Sequence, residues 1–138
     1  MPVGQPIPAG PIRTGLDLVN VARLREKLQR RPEAREDFFA PAEIAYCERH
    51  DTPWPHYAAR FAVKEALIKA FGLDLLMYDL PLIELVHGER GAPAVVIHCE
   101  RLLADCRRVL GGRDFALSLS VTHEADVACA VVIVQATA

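Results

Sequence analysis

The stretch from His56 to Phe71 constrains this chain more than any other. It contains no helix breaker, and Gly72 closes it with a residue suited to the left-handed backbone of a helix end. At ~100° per residue, Tyr57, Phe61, Ile68 and Phe71 fall on one apolar arc, so the spacing predicts a helix lying on a core. Lys64 projects inside that arc, with Arg60 one turn before it. A second stripe holds Ala58, Ala62, Glu65 and Lys69: two small residues that leave space and two charges that point into it. An ordinary reading is available for each charge. Glu65 and Lys69 could form an i,i+4 surface pair worth ~0.3–0.5 kcal/mol, and Lys64 could snorkel past its neighbours. The helix alone leaves both readings open.

The segments around it predict a small α+β domain. Residues 12–19 alternate as a strand, with Ile12, Thr14, Leu16 and Leu18 on one face and Arg13, Gly15, Asp17 and Val19 on the other. A helix is expected over 21–31, stopped by Pro32, and a short one opening at Pro41 and running through Glu43 and Tyr46. Residues 51–55 form a break. Strands are expected over 82–86 and 94–98, a helix over 99–110 closed by Gly111-Gly112, and strands over 115–121 and 127–134. The order β-α-α-α-β-β-α-β-β implies an α+β fold with a mostly antiparallel sheet. Residues 1–11, rich in proline and glycine, read as a flexible tail, and 12–138 as a single domain.

Composition narrows the function classes. No apolar run approaches the ~20 residues that span a bilayer, and the tail lacks the pattern of a signal peptide, so no membrane role and a cytoplasmic location are expected. None of Cys47, Cys99, Cys106 and Cys129 forms a C-x-x-C pair, which speaks against a zinc or redox motif; Cys129, in an apolar run, reads as a small core residue. Net charge is −2, yet Arg23, Arg25, Lys27, Arg30 and Arg31 crowd one short segment against Glu26 alone. Such a patch suits a solvated face or an acidic partner. No aromatic is interleaved with it, so nucleic acid is not expected.

Asp17 is the second anomaly. Aspartate is disfavoured in strands, and a buried, unpaired carboxylate is costly, so this one calls for an arginine or a metal. Gly15 on the same face permits close approach. Two carboxylates from separate elements, Asp17 and Glu65, suit a hard cation such as Mg2+, which keeps several waters and completes its shell with substrate phosphate. Lysines nearby would balance phosphate charge. The absence of HExxH, Walker and GxGxxG patterns counts against zinc proteases, P-loop enzymes and dinucleotide folds. On 115–123, Phe115, Leu117, Leu119 and Val121 alternate with Ala116, Ser118, Ser120 and Thr122, a row largely of hydroxyls leading to His123.

These separated segments together resemble the holo-acyl-carrier-protein synthases of the 4'-phosphopantetheinyl transferase superfamily. Thr14-Gly15-Leu16-Asp17-Leu18 with Arg23 resembles the opening G-h-D-h strand. Arg60-Phe61-Ala62-Val63-Lys64-Glu65-Ala66 and Lys69-Ala70-Phe71-Gly72 are similar to its R-F-A-x-K-E-A-x-x-K-A-h-G helix. Phe38-Phe39, Glu43 and Tyr46-Cys47 match a third stretch, and Ser120-Val121-Thr122-His123 with Ala128 to Val132 the C-terminal strand pair. The chain departs from the pattern after Gly72, where Leu73-Asp74 replace the usual Thr-Gly.

The resemblance implies transfer of 4'-phosphopantetheine from coenzyme A to a serine of an apo acyl carrier protein, with Mg2+ on Asp17 and Glu65 and release of 3',5'-ADP. It implies charge neutralisation by Lys69, nucleotide binding by Arg60, Lys64, Ser120 and His123, and removal of the serine proton through Glu65 or a water on the metal. Arg23, Arg25 and Lys27 would meet the acidic carrier protein. One copy of the unit implies the small class, a homotrimer with sites between subunits, in a setting of fatty acid and lipid biosynthesis. The alternative is a non-catalytic coenzyme A or carrier-protein binding module with the same fold.

Overall fold

The computed structural model describes residues 12–137; the expected tail over 1–11 lies outside them. Strand β1 (Ile12–Asn20) runs straight into helix α1 (Val21–Arg30). The corner is fixed because Asn20 caps the helix, its side-chain oxygen accepting from the Arg23 N–H at 2.9 Å, and because the Val21 N–H donates to the Asp126 carbonyl at 2.7 Å. Three helices follow: α2 (Ala34–Phe38), α3 (Pro41–Glu48) and α4 (Trp54–Ala70). Two 3-10 turns, Leu75–Met77 and Leu80–Leu82, lead into a hairpin of β2 (Ile83–His87) and β3 (Pro93–Ile97). Helix α5 (Glu100–Val109) and a second hairpin, β4 (Phe115–Glu124) and β5 (Val127–Ala136), complete the chain.

The three-stranded sheet has the order β1-β5-β4, and every pairing among the described residues is antiparallel. The α+β expectation therefore holds, with one helix more before the first hairpin than the sequence indicated. Helix α2 is five residues long, too short to show a 3.6-residue period. Helix α4 begins at Trp54 rather than His56, because Pro55 sits in its first turn, where a missing N–H is no loss.

Helix α4 lies across the inner face of the sheet. Ala128, Ala130, Val132 and Val134 of β5 are buried beneath it, with Ala62, Ala66 and Ala70 of the helix. Gly15 is where β1 crosses closest: a Cβ there would collide with the carbonyl of Ala66. That approach brings Asp17 to the helix. At its far end α4 stops at Gly72, with φ of +67°; its N–H donates to Lys69 and that of Leu73 to Ile68, a Schellman close.

Among the described residues nothing covers the outer face of the sheet. Ile12, Leu16, Leu18, Val127 and Ile133 are exposed on this sheet, Leu18 at 66%, while Asp17 between the two leucines is turned inward and buried. Cys129 is corrected from core to outer face: it is half-buried on β5, opposite Leu18 and Thr122, and the small buried residues are its neighbours Ala128 and Ala130.

Candidate functional site

Two clusters of charge leave α4 in different directions. The first joins α4 to β1. Lys69 Nζ donates to Asp17 Oδ1 at 2.7 Å and, more weakly, to the Leu16 carbonyl at 3.3 Å. Asp17 is 5% exposed, and its second oxygen, Oδ2, is buried without a partner. Glu65 lies against it. Burial, then the hydrogen bond and negative charge of Asp17, push the Glu65 carboxyl up to about 7, with Lys69 pulling the other way. The bond to Asp17 in turn holds Lys69 above its ordinary value, firmly protonated. Two neighbouring carboxyls, one with a buried oxygen lacking a partner, are a donor set short of positive charge, and they fit a hard divalent cation that draws its other ligands from water and substrate. Among the described residues no group of three or more His, Cys, Asp and Glu gathers that could hold a metal ion, so a cation on Asp17 and Glu65 would depend on water and substrate for its other ligands.

The second cluster surrounds Arg60, which is 4% exposed. Its guanidinium lies 4.0 Å from the Tyr46 ring centroid. It also touches the His56 carbonyl at 3.4 Å and His87 Nε2 at 3.5 Å, and its Nε is buried without a partner. His50 and His56 stack with centroids 3.7 Å apart, and His123 meets His56 edge-on at 6.0 Å. Burial first, then the charges of His50, Arg60 and His123, lower the His56 pKa. No carboxylate bridges to Arg60 among the described residues. A buried cation ringed by histidines, without an acid, favours an anion. His50, His56 and His87 were missed in the sequence because they come from a loop, a helix and a hairpin at no regular spacing.

The two clusters do not meet within one chain. Along α4, Arg60 and Glu65 are five residues apart, which turns them ~140° from each other, and Lys69 is ~180° from Arg60. Across the sheet, Asp17 pairs with Ala130 and Ala130 with Val121, so β5 separates the carboxylates from the β4 residues. Ser120 and His123 also part company. An odd step along a strand changes face: Ser120 is exposed on the outer face, while His123 reaches His56 on the inner side. The segments expected to share one site, which the resemblance implies is completed by a neighbouring subunit, thus lie in two separate clusters within the chain.

Lys64 is corrected more sharply. It is wholly buried, and its ammonium donates to Glu43 Oε1 at 2.6 Å, the Phe38 carbonyl at 2.8 Å and the Leu80 carbonyl at 2.9 Å. An ammonium has three protons, so none remains for a nucleotide. Glu43 is the matching surprise: it also accepts from the Ala40 and Leu85 N–H groups, tying α3, α4 and β2 into one joint. Arg23, Arg25 and Lys27 stand exposed on α1, with Lys27 over the Phe38 ring at 4.9 Å.

Comparison with known proteins agrees with this frame. Residues 13–132 match the model of the 4'-phosphopantetheinyl transferase superfamily. The holo-[acyl-carrier-protein] synthase of Moorella thermoacetica is 37% identical over 122 residues, 88% of this chain and 93% of that protein. Its namesake from Anaeromyxobacter sp. strain K is 41% identical over 127 residues, covering 89% and 94%. Among solved structures, the Chronobacterium ammoniagenes ACPS–CoA complex superposes with a TM-score of 0.78 at 26% identity, over 92% of this chain and 98% of that one. The Mycobacterium tuberculosis acyl carrier protein synthase gives 0.66 at 30%, over 93% and 100%.

Proposed function

This chain belongs to the 4'-phosphopantetheinyl transferase superfamily, and from that premise we propose that it moves 4'-phosphopantetheine from coenzyme A to a serine of an apo acyl carrier protein. The observation that carries the reading is the buried, unpartnered Asp17 oxygen on a carboxylate that neighbours Glu65, with Lys69 paired to Asp17 alongside. Asp17 and Glu65 would hold Mg2+, which when bound supplies positive charge to the pyrophosphate of coenzyme A. Lys69, 57% exposed at its side chain, neutralises charge that builds on the phosphates. The serine oxygen forms a bond to the β-phosphorus, the bond from that phosphorus to the bridging oxygen breaks, and 3',5'-ADP leaves with the electron pair. The serine proton would pass to Glu65, directly or through a water.

Arg60, with His56 and His123, is the anion-binding half, suited to the nucleotide end of coenzyme A. Its separation from Asp17 within the chain, together with the uncovered apolar face around Leu16 and Leu18, supports a closed ring of copies, a homotrimer, in which one subunit's carboxylates face a neighbour's histidines. Light scattering that returned a monomer mass under assay conditions would overturn that assembly. The exposed cations Arg23, Arg25 and Lys27 suit an acidic carrier protein. No helix among the described residues is long and apolar enough to cross a membrane; the cytoplasm and fatty acid and lipid biosynthesis are the setting this reading takes from the resemblance.

Mass spectrometry decides the central claim. Apo carrier protein incubated with this chain, coenzyme A and Mg2+ should gain the mass of phosphopantetheine. Coenzyme A binding without that gain would turn the reading to a binding module.

A further inference from the structure

At the open edge of β1, beyond Lys69, lies a polar cavity of about 270 Å3 lined by Ile12, Arg13, Thr14, Lys69 and Ala70. Arg13 is half-buried in it. Its Nε donates to the Ala70 carbonyl at the end of α4 at 2.7 Å. Its Nη2 lies over Gly72, 3.7 Å from where a Cβ would stand. The guanidinium is therefore clamped by one nitrogen, while no carboxylate among the described residues bridges to it. A cation near a helix C-terminus gains from the dipole, but that use consumes a single N–H of the five that arginine carries.

Backbone donors share this edge. Among the described residues β1 pairs only with β5, and the Leu16 carbonyl turns away from β5 onto Lys69. Both backbone groups of an antiparallel residue point the same way and alternate along the strand. The N–H groups of Thr14 and Leu16 therefore also face outward, between Arg13 and Lys69.

Charge decides what fits. A divalent cation on Asp17 and Glu65 cancels their two negative charges. The pyrophosphate diester of coenzyme A brings two more, and Lys69 answers only one. We infer that Arg13 is a second phosphate-binding residue of the carboxylate half-site, gripping the pyrophosphate beside Lys69. This rests on the proposed transfer from coenzyme A and adds a ligand residue to it. Arg13 acts on binding: the anchored guanidinium presents its remaining N–H groups as a preformed fork for phosphate oxygens.

The test is calorimetric binding of coenzyme A with Mg2+ to the wild-type chain, R13Q and R13K, without carrier protein, paired with thermal denaturation. Glutamine keeps an N–H able to reach the Ala70 carbonyl while removing the charge. R13Q should weaken coenzyme A roughly ten- to a hundredfold, the scale of one charge-assisted contact. Dephospho-coenzyme A should weaken by the same factor, since it keeps the pyrophosphate. R13K should fall between, and KM for carrier protein should not move. Unchanged affinity in a folded R13Q or R13K would overturn the inference and leave the transfer reading standing. A lowered Tm with unchanged affinity would overturn it equally, reducing Arg13 to a helix cap. Failure of the wild-type chain to bind coenzyme A at all would sink both.

Discussion

Lys64 meets Glu43 at 2.6 Å and Lys69 meets Asp17 at 2.7 Å, yet the two pairs on α4 are held in different ways. Around Lys64 every proton has an acceptor, and the Glu43 oxygens also accept from the Ala40 and Leu85 N–H groups. Burial pulls Lys64 below its ordinary pKa, and Glu43 holds it up. Around Lys69 the count does not close: Asp17 Oδ2 has no partner and Glu65 keeps a proton toward neutral pH. A buried charge that is fully answered serves the fold; one left in deficit is reserved for something that arrives later. Length and charge do not distinguish the pairs, but satisfaction of the remaining lone pairs and protons does.

Breaking the deficient cluster should cost activity and spare the fold. Glu65→Gln keeps the shape and removes a carboxylate, so phosphopantetheine transfer should fall roughly 10³- to 10⁴-fold, with Tm unchanged or raised because Asp17 loses a like-charged neighbour. Near-normal transfer by a folded E65Q would remove the chemical meaning of the comparison.

The satisfied pair should behave the other way. Lys64→Met strands Glu43 as a buried, uncompensated charge, a change that costs about 3–5 kcal/mol and lowers Tm by roughly 10 °C or more. Below its transition the variant should retain kcat within a few-fold. A stable K64M with impaired coenzyme A affinity would return Lys64 to the binding site.

The pH response sharpens the contrast. Glu65 is raised from an ordinary value of 4.5 to about 7 in the folded chain, so folding favours its protonated form. That contribution is complete below about pH 4.5 and is lost as pH rises through about 7. Urea denaturation without metal should show stability falling across this window, Glu65→Gln should flatten the slope, and added Mg2+ should offset it by binding the ionised pair. A slope that survives E65Q would locate the proton elsewhere.

What could be read from the sequence follows from range. Asp17 stood out because its chemistry contradicted its strand, and Glu65 with Lys69 because i,i+4 spacing is a local signal. The partner of Lys64 is 21 positions away, and no helical spacing points to it. The histidines around Arg60 meet only once α3, α4, the β2–β3 hairpin and β4 pack. Arg13 read as one more residue of an alternating strand, because its meaning depends on the carbonyl where α4 ends. Ser120 and His123 were separable in principle by strand parity, but they were grouped as a motif.

The smallest effect concerns Leu73-Asp74, where the chain departs from the family pattern. The local backbone does not need a second glycine: Gly72 alone takes the left-handed turn, and neither Leu73 nor Asp74 has a positive φ. Asp74 is exposed, and its Oδ1 accepts from the Leu76 N–H at 3.0 Å, capping the Leu75–Met77 turn. Its charge is thereby spent on a helix-type N-terminus, where a carboxylate is favourable, rather than on opposing phosphate. Asp74→Ala should lower stability by about 0.5–1 kcal/mol and leave coenzyme A affinity within twofold. A marked gain in affinity would mean that Asp74 opposes the incoming phosphates, and the deficit of positive charge at the carboxylate half-site would then extend past Gly72.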